Sequence, residues 1–415
     1  MTGLRLGETS AVSGPLELTT LIKETIDVQT EHKRPLRILH VASHNMIRAG
    51  GSIQMMRLCL GLKKLGHSVH CIFNIKTGDR PPGLSTFGPL HEAGIGVRSF
   101  PMQHLRKFYG MIAFRKFLSA NRFDIIHAHR FRALNFVCSA TPGMQLPVLI
   151  GNKKNSSPVP AAWSRLYGSS RVDAVIVNAQ AITDLLEATG QVSAEKIRLI
   201  YNGVDLAVFH PGVDGSRVRK EFGISQNSPV FGMIANFARK KAHDVFFEAA
   251  RLVLQARPDA VFLLAGGKNH TDYKTGITRK GFGSSFIFTG FRNDIPEIIA
   301  SLDVSVISSS KGEGLTGSLV ESMVMGKPVI STDVAGNAEV IRHNETGLLV
   351  PQCSPEKMAD AMLYLLSHRA EAAKLGAQAR ASITDKVDNT QRTRRFEGLY
   401  YELLEKRGFR KQPAA

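Results

Sequence analysis

Glu313 and Glu321 bracket seven residues in the run Lys311-Gly-Glu-Gly-Leu-Thr-Gly-Ser-Leu-Val-Glu321. The first half is polar and glycine-containing and reads as a loop. The second half has the spacing of a short helix, followed by Gly326-Lys-Pro328 and the apolar strand Pro328-Val-Ile330. A loop that opens a helix leaves backbone N–H groups without intrahelical acceptors, and these favour an anion. The two carboxylates are acceptors for hydroxyl groups. Together they suit a ligand with both phosphate and hydroxyls, such as a nucleotide sugar. A single glutamate would read as an ordinary surface or capping carboxylate; the pair in this loop, strand and proline setting reverses that.

Three further groups could act with the pair. Arg239-Lys240-Lys241 is a basic run that on its own reads as a solvated loop. Gly50-Gly51 follows a buried strand and opens a helix, where glycine permits close backbone approach. His129 ends Asp124-Ile-Ile-His-Ala-His at a strand terminus, with His127 directed into the core. No metal site is expected: Asp-x-Asp and HExxH motifs are missing from the sequence, as is a carboxylate cluster suited to Mg²⁺. No cofactor is implied either.

These residues need elements to hold them. From Leu36 the chain alternates strand and helix: Leu36–Ala42, a helix from Ile53 to Leu65, then strands at Val69–Phe73, Phe123–His127, Pro147–Ile150, Ala174–Val177 and Lys196–Ile200. Turns at Asn202-Gly-Val-Asp205 and His210-Pro-Gly212 and a polar stretch to 228 read as a linker. The alternation restarts with Val230–Ala235, a helix from Asp244 to Ala256, and strands at Ala260–Ala265, Ser285–Thr289, Val304–Ile307, Pro328–Ile330 and Gly347–Val350. Repeated strand–helix units imply parallel sheets covered on both faces. The expected fold class is α/β, with two Rossmann-like doubly wound domains facing a cleft. Ligands in such sheets bind beyond the carboxyl ends of the strands.

At 415 residues the chain accommodates two cores. Its four scattered cysteines read as reduced core thiols of a cytoplasmic protein. No apolar run reaches the roughly 20 residues that span a bilayer, and no secretory signal is expected. The formal charge of +18 is uneven: Ala93 to Val172 holds twelve Lys/Arg and one acid, Asp124. That is either a solvated face or a surface for phospholipid headgroups or a phosphorylated glycan. Nucleic acid is not expected, because no binding module accompanies the charge. His104 to Leu118 reads as a basic amphipathic helix, either packed on its sheet or lying on an anionic membrane.

From about Leu36 to Leu404 the chain resembles the retaining glycosyltransferases of family 4, which have the GT-B fold. The resemblance rests on Asn202-Gly-Val-Asp205, Lys241-Ala-His243, Gly290-Phe291, the Glu313/Glu321 pair with Met323, Gly326-Lys-Pro328 and Gly347-Leu-Leu-Val350, in order and at family-like spacing. It implies that Glu313 bonds hydroxyls of the donor sugar and Glu321 the ribose hydroxyls. Backbone N–H groups of Leu315, Thr316 and Gly317, within the loop that begins Glu313-Gly314, would meet the diphosphate. Lys241 would clamp that diphosphate, and Gly50-Gly51 would approach it from the N-terminal domain. His129 would face the sugar and Gly290-Phe291 the base. His129, Glu313 and Lys241 are thus the expected catalytic residues. The family usually has an arginine three or five residues upstream of the lysine; Ala238 and Asn236 stand there, so Arg239 or Lys240 would substitute. Ala242 stands where glycine is usual.

The implied organisation is an extension over 1–34, an acceptor-side domain over 35–209, a linker over 210–228, a nucleotide-sugar-binding domain over 229–390, and over 391–415 a helix returning to the first domain, with a tail. The implied activity is metal-independent, retaining transfer from a nucleotide-diphosphate sugar to a glycan or lipid-linked acceptor in lipopolysaccharide or other surface-polysaccharide synthesis, in the cytoplasm or peripherally on the inner face of the membrane. An epimerase of the same fold, a non-catalytic nucleotide-sugar- or glycan-binding protein, and a nucleic-acid-binding protein are the alternatives.

Overall fold

The computed structural model describes residues 34–47, 50–75, 87–103, 106–267, 275 and 282–408. The expected extension over 1–34 lies almost wholly outside them. Leu36–Phe409 forms one compact unit built on two parallel sheets. The first has the order β3-β2-β1-β4-β5-β6-β7: β1 (Arg37–Ala42), β2 (Ser68–Asn74), β3 (Gly96–Phe100), β4 (Ile125–His129), β5 (Val148–Asn152), β6 (Ala174–Val177) and β7 (Ile197–Leu199). The second has the order β10-β9-β8-β11-β12-β13: β8 (Val230–Ile234), β9 (Val261–Ala265), β10 (Phe286–Gly290), β11 (Val304–Ile307), β12 (Val329–Thr332) and β13 (Leu348–Val350). Both orders reverse direction beside their first strand, which opens a crevice at the carboxyl ends there.

Helices α1 (Gly50–Lys64), α2 (Lys107–Ala120), α3 (Phe131–Ala140) and α4 (Gln180–Glu187) flank the first sheet. In the second half lie α5 (Ser216–Glu221), α6 (His243–Ala256), α7 (Gly317–Val324) and α8 (Ala335–Ala338). Helix α1 begins at Gly50, so Gly50-Gly51 forms its first turn rather than a loop ahead of a helix at Ile53. Of the stretch 210–228 read as a linker, α5 is helical, and Val218 and Ile224 pack in a core with Ile298 and Leu302.

The last helix, α9 (Asn389–Lys406), returns to the first sheet, as the resemblance implied. Phe396, Leu399, Tyr400, Leu403 and Leu404 are buried there with Ile38, Ala42, Met55 and Ile150. Each such side chain contributes about 1.5–3 kcal/mol when fully buried. The preceding helix stops at Asp388, whose carboxylate accepts the Thr390 N–H (2.8 Å) and starts α9. Val204 donates its N–H to Val387 (2.7 Å), and Asn389 donates to Val204 (2.9 Å). The two chain connections between the sheets therefore run side by side.

Candidate functional site

The Glu313–Gly317 loop leads from β11 into α7. Three asparagines fix it. Asn178, just past β6, and Asn202, past β7, both donate from Nδ2 to the Leu315 carbonyl (3.4 and 3.3 Å). Asn337 on α8 accepts the Thr316 N–H at 3.1 Å. That bond corrects the expectation that all three amides of Leu315, Thr316 and Gly317 are available to an anion: the Thr316 N–H is already taken. The Leu315 and Gly317 N–H groups have no acceptor among the described residues and stand at the positive end of α7. Glycine is required around them. A Cβ on Gly314 would lie 2.5 Å from Asn178 Oδ1, and one on Gly336 would lie 2.4 Å from the Gly314 carbonyl carbon.

Glu313 is 8% exposed and its Oε1 pairs with Lys240 (2.9 Å) and Lys241 (3.3 Å). The lysine loop is tied to the same segment: Ser308 Oγ donates to the Lys241 carbonyl (2.8 Å), and the Ser310 N–H donates to that of Lys240 (2.9 Å). Burial pulls the Lys241 ammonium below the usual lysine value, and the Glu313 charge opposes the pull. Arg239 is exposed, and its side chain has no partner among the described residues. Ala242 takes φ +48°, the left-handed conformation that glycine adopts without penalty. His243 stacks on Phe237, ring centres 4.2 Å apart.

Glu321, on α7, is reached from the other half of the molecule. Arg57 on α1 donates from Nη1 and Nη2 to Glu321 Oε1, both at 3.2 Å. It also donates to the Gly203 carbonyl (2.9 Å) and lies over the Phe209 ring. Gln54, one turn earlier, holds Gly203 at two points, accepting its N–H (2.9 Å) and donating to its carbonyl (2.8 Å). Burial raises the Glu321 carboxyl above the usual range, and Arg57 counteracts this. Oε2 has no hydrogen bond among the described residues. Gly290, with φ +69°, ends β10 and is followed by the 44%-exposed Phe291.

On the N-terminal side, His129 is the last residue of β4 and is 4% exposed. Both nitrogens of its ring are engaged in a chain of hydrogen bonds. Tyr400 donates its hydroxyl to His127 Nδ1 (2.8 Å), and His127 Nε2 donates to Asn152 Oδ1 (2.8 Å). Asn152 Nδ2 donates to His129 Nδ1 (3.1 Å), and His129 Nε2 donates to His40 Nδ1 (2.9 Å). Burial holds all three imidazoles below their usual pKa, His127 at about 3. Their ligand atoms lie within 4.8 Å of one another. Only His40 Nε2 lacks a partner among the described residues, so an ion could be held only by breaking the chain. His44, beyond β1, instead faces the helix start: a Cβ on Gly51 would lie 3.5 Å from its ring, and neither of its nitrogens has a partner among the described residues.

Known sequences and structures resemble this chain. The profile described as Glycosyltransferase Family 4 matches residues 48–208, and that described as Glycosyl transferases group 1 matches residues 214–382. The chain belongs to the family 4 glycosyltransferases. A relative from Escherichia coli, UDP-Gal:alpha-D-GlcNAc-diphosphoundecaprenol alpha-1,3-galactosyltransferase, is 24% identical over 314 residues, covering 72% of this chain and 81% of that one. The lipopolysaccharide core biosynthesis mannosyltransferase LpsB of Rhizobium meliloti (strain 1021) is 25% identical over 250 residues, covering 58% and 69%. The crystal structure of Anabaena HepE in complex with UDP-glucose superposes with a TM-score of 0.77 at 21% identity, covering 88% of this chain and all of that one. That likeness establishes the GT-B fold.

This glycosyltransferase thus brings Gly50, Gly51, Lys241 and the Glu313–Glu321 segment into one compact unit, and it withdraws His129 into the core. Sequence reasoning missed Gln54, Arg57, His44, Asn178 and Asn337. Gln54 and Arg57 carried a signal: both are polar, three residues apart, on a helix read mainly by its apolar positions.

Proposed function

We propose that this glycosyltransferase moves a sugar from a nucleotide-diphosphate donor to a glycan or lipid-linked acceptor with retention of anomeric configuration and without a metal. The observation that carries the reading is the pair of amides without an acceptor among the described residues, Leu315 and Gly317, set at the start of α7 between the buried Glu313 carboxylate and the half-buried Glu321 carboxylate. The amides and Lys241 receive the diphosphate. Glu321 Oε2 accepts from ribose hydroxyls while Arg57 holds Oε1. Glu313, held by two lysines, accepts from the donor sugar. Developing charge on the leaving diphosphate is met by fixed dipoles and cations, which need no reorganisation at the moment of reaction. No carboxylate is assigned as a covalent nucleophile.

The relatives named above support an acceptor built on a lipid diphosphate or lipopolysaccharide core. The membrane side of the proposal rests on α2, whose exposed Phe108, Tyr109 and Ile112 share a helix with exposed Arg115 and Lys116. A transfer assay in excess EDTA, with the product anomer read by NMR, tests the chemistry. The account expects product with the donor's configuration. Inverted product, or turnover restored only by a divalent metal, would contradict it.

A further inference from the structure

Cations stand on both sides of the donor site, and on the C-terminal side Arg239 is exposed with no partner among the described residues. On the C-terminal side, Lys240 and Lys241 are already engaged by Glu313 (2.9 and 3.3 Å). On the N-terminal side, Lys154 lies two residues beyond β5, partly buried, and its ammonium has no hydrogen bond or ion pair among the described residues. Several charged and titratable groups interact with it electrostatically. They are His44 beyond β1, His127 and His129 on β4, and Arg392 on α9. Arg392 is 2% exposed and is also without an acid partner among the described residues. An ammonium withdrawn from water without a counter-ion is costly, and a bound anion offsets that cost.

The position of Lys154 identifies the anion. Its loop touches the donor loop: a Cβ on Gly312 would lie 3.1 Å from Ser157 Oγ. His44, whose pKa the Lys154 charge helps to lower, abuts Gly51 in the first turn of α1. Lys154 therefore stands at the carboxyl end of β5, in a loop that meets the segment leading into α7, and neither α1 nor α7 has an acid in its first turn.

We propose that Lys154 is a phosphate-binding residue contributed by the N-terminal domain to the diphosphate of the donor nucleotide. The proposal rests on the nucleotide-donor reading above. A phosphate on the acceptor offers the same oxyanion chemistry, so the test uses nucleoside diphosphate with no acceptor present.

Calorimetric titrations with UDP, GDP and ADP, each beside its parent nucleoside, provide that test. For the base that binds, Lys154→Met weakens the diphosphate about tenfold or more, the scale of one charge-assisted contact. The nucleoside affinity stays unchanged and reports that the variant is folded. Lys154→Arg retains most of the diphosphate affinity. The wild-type protein supplies a second readout. Burial lowers Lys154 to about 7, so a phosphate placed against it draws in a proton near pH 7.5, visible as binding heats that differ between buffers. His44 and His127 sit at about 3 and stay neutral there. Lys153, at about 8, donates instead to Asn155 Oδ1 (2.6 Å) and the Ser157 carbonyl (2.9 Å). Diphosphate affinity unchanged in Lys154→Met overturns the proposal alone. Unchanged diphosphate affinity with lost transfer to a phosphorylated acceptor overturns it in favour of the acceptor's phosphate. If wild-type protein binds neither diphosphate nor nucleoside, the nucleotide-donor reading falls and this proposal with it.

Discussion

Tyr400 and His127 meet hydroxyl to imidazole at 2.8 Å, both fully buried. Tyr400→Phe removes the donor and leaves His127 Nδ1 unpaired in the core, which costs about 1–3 kcal/mol. Urea denaturation should report a loss of that size with nucleotide binding intact; no loss would mean the chain of hydrogen bonds contributes nothing to stability. The same bonding engages both ring nitrogens of His129. Its position at a strand end made it a candidate, but a sequence does not show that Asn152, 23 residues on, takes one nitrogen and His40 the other. Thr316 is a parallel case. Its place in the loop was legible, whereas the Asn337 side chain that consumes its amide was not. Arg57 could have been suspected as a charge following a glycine-rich helix start, but its pairing with Glu321, 264 residues away, is a tertiary fact.

At the scale of elements, the apolar runs made the buried strands legible, because a parallel sheet covered on both faces buries nearly every side chain. The missed strand, β3, is a short edge strand with no fully buried residue. Strand β4 starts two residues later than expected, since the Asp124 carboxylate accepts the Arg37 N–H (2.7 Å) just ahead of it. The cysteines divide: Cys59, Cys71 and Cys138 are buried, but Cys353 is exposed, not a core thiol. Helix α2 combines both readings of its amphipathic pattern. Phe114 is buried against Phe136, ring centres 5.3 Å apart, whereas Phe108 and Tyr109 are 64% and 72% exposed; His104 and Leu105 lie outside the described residues. Flotation with anionic liposomes at low salt should recover the protein, and Phe108→Ser with Tyr109→Ser should weaken recovery several-fold. Equal recovery of the variant would remove α2 as the contact. Among the described residues, no helix is long and apolar enough to cross a membrane.

At the scale of the whole molecule, the two sheets are joined through polar contacts at the site itself. Arg57 reaches Glu321, Asn178 reaches Leu315, and Glu339 accepts the N–H groups of Gln180 and Ala181 at the start of α4 (2.7 and 2.8 Å). Donor binding and the relation between the halves therefore share residues. The buried histidines set the pH response of the whole fold. His44 and His127 are held at about 3 and His243 at about 4, with His40 and His129 also lowered by burial. Unfolded histidine titrates near 6.5. Above that value these groups are neutral in both states. Below it the unfolded chain binds protons that the fold refuses, so stability falls as pH drops from about 6.5 toward 3, by up to about 1.4 kcal/mol per pH unit for each group. Glu321, raised by burial, works in the opposite sense but is one carboxyl. The urea midpoint should decline steadily from pH 7 to 4.5, and a flat profile would contradict this. The central claim is that Glu313, Glu321 and the amides between them hold a nucleotide-diphosphate sugar. A thermal-shift screen of such sugars, run in parallel on wild type and Glu321→Ala, addresses it most directly. The account predicts that at least one donor raises the melting temperature of the wild type, by the equivalent of about 2.7 kcal/mol at a hundredfold excess over Kd, and that Glu321→Ala abolishes the rise. No shift with any donor, or an equal shift in the variant, would contradict it.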